Sequence, residues 1–127
     1  MMYDDIKAHL QASGLMAAYT FQSVFNEQAW DAAKRYCVIR GVGGAGDKYV
    51  RNATFQIHFL AKVNDTALAT LSADADKVLR FVLNNYKRGN LINFGLALDV
   101  SGPYYTDSGR MQYYFEVMVK SDDVKAP

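Results

Sequence analysis

A second cysteine is missing, so the lone Cys37 forms no intrachain disulfide. It lies in an apolar run, and a buried free thiol fits a reducing compartment. No basic-then-apolar-then-small order marks the N-terminus as a signal peptide. No run approaches the ~18 apolar residues of a membrane-spanning helix. The net charge is only +1, with no basic block, which removes support for strong nonspecific nucleic-acid binding. These absences lead us to expect a protein made and used in a cytoplasm, with no membrane and no specific nucleic-acid partner.

Catalytic signatures are equally scarce. No G-x-S-x-G occurs. His9 and His58 are the only histidines, and no Cys, Asp or Glu sits at ligand spacing from either, so both read as half-exposed side chains and not metal ligands. Cys37, flanked by Tyr36, Val38 and Ile39, reads as a small buried hydrophobe despite Arg35 on its face. Asp74 and Asp76 face different sides of a helix and make no carboxylate pair. Gly41 to Gly46 matches G-x-G-x-x-G, but a nucleotide fold needs a helix to open there, and the following residues alternate like a strand. With Lys48 the segment also fails as a phosphate loop, lacking the hydroxyl after the lysine. No enzyme reading stands, and no cofactor is expected.

What is present is a chain of 127 residues, half hydrophobic and 21% charged, sized to bury a real core. From Asn52 to Val63 apolar and polar residues alternate, with Leu60 the one lapse, giving a strand with one buried face. The period then changes. Leu68, Leu71, Ala75, Val78, Leu79, Val82 and Tyr86 form one stripe of a long helix, with Asn64 or Asp65 as its N-cap. Tyr86 to Asn90 ends it.

Around this pair, Tyr3 to Ser13 predicts a short helix stopped by a left-handed Gly14. Strands are predicted within Met16 to Val24, Tyr36 to Gly41, Leu91 to Val100 and Arg110 to Lys120. Ile92, Phe94, Leu96, Leu98 and Val100 should share one face. Phe25 to Asp31 reads as a polar loop with two large aromatics, Gly41 to Asp47 as a hairpin loop, and Ser101 to Gly109 as a turn-rich connection. The expectation is one α+β domain over residues 1–120, with a polar tail over 121–127. Its mostly antiparallel sheet of about four or five strands packs on the long helix, beside the short N-terminal helix and the glycine-rich hairpin loop.

Chemistry without a catalytic set leaves surfaces. Phe25 and Trp30 on one loop, Tyr104 and Tyr105 on another, and Arg35, Arg40, Lys48 and Arg51 around the glycine segment are candidate anchors for a partner. The competing reading makes the aromatics plugs at the core's edge and the cations ordinary solvated charges.

Four stretches carry a resemblance: the helix ending at Ser13-Gly14; Val24 to Trp30 before the strand Tyr36 to Arg40; Ala53 to Asp65 running into its helix; and Ser101-Gly102-Pro103-Tyr104-Tyr105 before the closing strand Tyr113 to Val119. In their order the chain resembles the tail-terminator proteins of long-tailed bacteriophages, the family of the lambda minor tail protein U. The resemblance implies a non-enzymatic virion tail protein, assembled in the host cytoplasm as a homo-oligomeric, commonly hexameric ring. Such a ring caps the tail-tube protein and receives the head-completion protein. The lambda-type protein is markedly acidic and this chain is not, so no electrostatic role carries over. Another head–tail joining or tail-tube protein of related fold is the alternative, and a small ligand-binding domain a further one.

Overall fold

The computed structural model describes residues 2–46, 50–88 and 92–122. Two helices, α1 (Met2–Gln11) and α2 (Leu68–Asn84), accompany six strands: β1 (Tyr19–Gln22), β2 (Arg35–Gly46), β3 (Val50–Leu60), β4 (Lys87–Arg88), β5 (Ile92–Tyr105) and β6 (Met111–Asp122). They form one α+β sheet in the order β1-β2-β3-β6-β5-β4. Every pairing is antiparallel except β1 with β2, so the sheet is mixed and holds more strands than expected.

The alternating runs produce the layering. Ile57, Phe59, Phe115, Val117 and Val119 point to one face and are buried there under Ile6 and Leu10 of α1 and Leu71, Ala75, Val78 and Val82 of α2. Cys37 is fully buried in the same layer. Gly14 takes the left-handed conformation, with φ +74°, just after α1. His9 is buried, not half-exposed: its Nε2 meets the Asn85 carbonyl at 2.7 Å and its ring stacks on Phe94, tying α1 to the end of α2.

Several boundaries move for physical reasons. The glycine segment is not a loop through Gly46: β2 continues to that residue and pairs with β3, with a bulge between Gly41 and Gly43. The expected loop's last residue, Asp47, lies outside the described residues. Neither Asn64 nor Asp65 caps α2. The N-cap is Ala67, while Asn64 turns the chain with φ +57° and Asp65 is drawn to Arg35. The helix stops at Asn84, before Tyr86, and Lys87–Arg88 pairs with β5 instead of ending the helix. β5 runs on through the expected turn to Tyr105. Register shifts between Leu96 and Leu98, Leu98 and Ser101, and Ser101 and Tyr104 break its alternation. Leu98 therefore lies opposite Glu116, on the other face from Phe94. Of the expected tail, Ser121 and Asp122 belong to β6, and residues 123–127 lie outside the described residues.

Leu60, the lapse in the β3 pattern, has a cause. It joins Tyr36 and Val38 in a second, small core on the helix-free face, with Phe25 and Trp30 packed over it.

Candidate functional site

The helix-free face of the sheet collects a row of rings. Trp30 stacks on Tyr36 at 4.4 Å between centroids. Phe25 lies beside Trp30 and meets His58 edge-on at 4.9 Å. His58 stacks on Tyr114 at 4.9 Å, and Tyr104 follows at 5.8 Å. Three segments far apart in sequence supply it: the loop before β2, the middle of β3 and the paired strands β5 and β6. The cross-strand pairs His58–Tyr114 and Ser101–Tyr114 set the spacing, because opposed residues in an antiparallel ladder share a face.

Arg110 fastens the loop to the sheet. It is 1% exposed. Its Nη1 donates to the carbonyls of Lys34 and Ala61, each at 2.8 Å, and its Nη2 to that of Asp31 at 2.9 Å. Its guanidinium also lies over the Trp30 and Tyr36 rings. The remaining Nε faces Glu27 Oε1 at 4.0 Å, and neither atom has a hydrogen-bond partner among the described residues.

His58 is 6% exposed, against the expectation of a half-exposed ring. Gln56 gives its amide N–H to Glu116 at 3.2 Å, so its Oε1 takes the Nε2–H of His58 at 2.9 Å. A neutral ring then accepts at Nδ1, 3.0 Å from the Gln112 carboxamide, which must turn its NH2 toward the ring. Burial pushes the His58 pKa down from 6.5 to about 4; Gln112 and Glu116 oppose the shift and Arg40 adds to it. The unfolded chain takes this proton first as pH falls. Stability carried by neutral His58 is thus whole above pH 6.5 and is lost as pH drops toward 4. The expected loss is roughly 2–3 kcal/mol. Urea titrations of the parent chain and His58→Gln at pH 7.5, 6, 5 and 4 measure it: the variant should have a flatter slope over this window, and parallel slopes would refute the assignment.

The expected anchors separate in space. Phe25, Trp30 and Tyr104 come together in the ring row. Tyr105 is exposed but opposes Met111, on the other face from Tyr104. Arg40 is exposed in β2. Lys48 lies outside the described residues, and Arg51 is placed by its backbone pairing with Gly46 and Ser121. Arg35 sits inside, far along β2 from the glycines. Its donors go to Asp65 at 2.8 and 3.2 Å, Thr70 at 2.8 Å, the Ala67 carbonyl at 2.8 Å and the Tyr19 hydroxyl at 3.5 Å. It forms the floor of a cleft of about 720 Å³, flanked by Lys34 and Lys62. All five guanidinium N–H groups being engaged, the floor offers a ligand no further donor. Tyr19 in turn donates to Asp74 at 2.9 Å. His58, Tyr114 and Arg110 were not singled out from sequence as surface residues, although Gln112 and Tyr114 alternate on the same polar face as Gln56 and His58.

A family model described as phage tail termination protein matches residues 1–123. The chain belongs to the phage tail termination protein family. No curated protein matches it closely enough to count. A solved structure that carries no functional name is similar, with a TM-score of 0.57 at 15% identity over 98% of each chain, which speaks for the fold alone. A tail termination protein is a structural component of a phage tail. Beneath the row of rings, the Arg110 guanidinium lies against Trp30, and Gln56 and Gln112 flank His58.

Proposed function

We propose that this chain closes the tail tube as a ring of identical copies, six in the reading carried by the family resemblance. The ring stops tube growth and presents the surface that a head-completion protein meets. Assembly takes place in the host cytoplasm. Membership of the tail termination family over residues 1–123 carries this reading. The fold supports it by leaving one face of the sheet, among the described residues, without an α-helix, so that Tyr104 and Arg40 are exposed there beside the half-buried Phe25 and Trp30. Tyr105, on the opposite side of β5, extends the contact area.

Size-exclusion chromatography with light scattering, followed by electron microscopy of tail tubes polymerised with and without the protein, is the test. The expected results are a ring, free or formed on the tube, density at one tube end and a fixed tube length. A chain that stays monomeric at high concentration and on tubes, and leaves their length unchanged, overturns the proposal.

A further inference from the structure

The sheet has two open edges, and they match each other. β1 covers β2 only from Arg35 to Val38, and β4 covers β5 only at Ile92 and Asn93. Among the described residues, β2 from Ile39 onward and β5 from Gly95 onward have no strand on their outer sides, the Phe94 N–H being taken by the Tyr86 carbonyl at 2.7 Å. Long open edges are templates for another strand, and proteins that do not use them blunt them with lysine or proline. The stretch Ile39 to Gly46 contains neither.

Cross-sheet registers put these free stretches at the same height. Gly44 pairs with Ala53, Ala53 with Val119, and Val119 with Phe94. Gly41 reaches Leu96 through Phe55 and Val117, and Arg40 reaches Leu98 through Gln56 and Glu116. Direction agrees as well. Three antiparallel pairings separate β2 from β5, so the two run in opposite senses. A second copy moved sideways, keeping its strand direction, sets its β2 antiparallel to the first copy's β5.

The side chains at this height suit each other. Val42 is 41% exposed on one edge; Leu96 and Leu98 are 45% and 38% exposed on the other. Arg40 is exposed on the first edge and Asp99 on the second. Gly41, Gly43 and Gly44 on β2, and Gly95 on β5, leave backbone bare where another backbone must approach. β2 bulges between Gly41 and Gly43 and β5 between Leu96 and Leu98, on either side of the same rung, so both edges bend at one level.

We infer that the β5 edge from Gly95 to Asp99 of one copy pairs antiparallel with the β2 edge from Ile39 to Gly43 of the next. The seam brings Val42 close to Leu96 on one face and sets Arg40 at the rung of Leu98 on the other, with Asp99 adjoining. The inference rests on the ring reading above. It gives that ring its head-to-tail contact, since two different edges of one subunit generate a closed cycle or a filament. Closure leaves no open edge at this level.

Cysteine cross-linking of the assembled full chain tests it. Cys37 is fully buried and does not compete. V42C, L96C and L98C, and the doubles V42C/L96C and V42C/L98C, are assembled and oxidised. At least one double should yield a covalent ladder of multiples under denaturing conditions. A mixture of the matching singles should stop at a dimer, and each single alone should stay monomeric. V42K and L98K should lose the ring by light scattering with an unchanged melting midpoint, both positions being surface sites. Rings that form without any ladder, a V42C single that links to itself, links to tube subunits instead of copies, or rings undisturbed in both V42K and L98K overturn the seam and leave the ring reading standing. An unmodified chain that makes no ring even on tubes overturns the ring reading, and the seam with it.

Discussion

Arg110→Met is expected to lower folding stability by about 3–5 kcal/mol. Methionine fills much of the same space but donates nothing. The carbonyls of Asp31, Lys34 and Ala61 then lose a charged donor in a buried setting, and Glu27 loses the cation it faces. Arg110→Lys should recover less than half. One ammonium on a flexible stem cannot span three carbonyls and also lie flat over two rings. Urea unfolding gives the magnitude, read as a lower midpoint at unchanged slope. Trp30 is the only tryptophan, and it touches both Tyr36 and Arg110, so its emission reports the loop locally. A loss under about 1 kcal/mol with unaltered Trp30 emission would show that the clamp is incidental.

Asp65→Ala is expected to cost about 3–5 kcal/mol near neutral pH, because it strands a buried guanidinium. The Arg35 and Asp65 side chains are both almost fully buried, 8% and 4% exposed. The carboxylate also accepts the backbone N–H groups of Lys62 and Ala67, so its removal loosens the turn that launches α2. The hydrogen bond from Arg35, helped by those two N–H groups, holds the Asp65 carboxyl well below its ordinary 3.8. The unfolded chain therefore binds the proton first. The pair's contribution is whole above about pH 4 and drains away as pH falls further, through the folded-state value. Asp65→Asn should lower stability at pH 7 and flatten the acid limb below pH 4. An acid limb as steep as that of the parent chain would assign that limb to other carboxylates.

Much of the core was legible because it follows period. The alternation of β3 and β6 and the stripe from Leu71 to Val82 name the residues that meet between sheet and helix. Gly14 was readable from chain chemistry alone. What failed was whatever depends on a partner remote in sequence. Asp65 next to Asn64 looks like a cap until Arg35, thirty residues earlier, claims it. The glycines of β2 read as a loop because local entropy argues for one, while β3 beside them supplies the ladder that outweighs it. The shifts in β5 leave no mark in a pattern of apolar letters, so Leu98 seemed to face the core. Phe25, Trp30 and Tyr104 were found as aromatics on loops. Their convergence needed His58 and Tyr114 between them, two ring-bearing residues that looked like ordinary polar-face positions.

The Arg110 clamp also sets an order of events during synthesis. Its three acceptors lie 49 to 79 residues earlier in the chain. All of them leave the ribosome before the side chain that binds them exists. Until Arg110 and β6 arrive, the loop bearing Phe25 and Trp30 lacks its clamp, and β3 and β5 each lack the strand that lies between them. The row of rings on the sheet is complete only with the last strand, which supplies Tyr114.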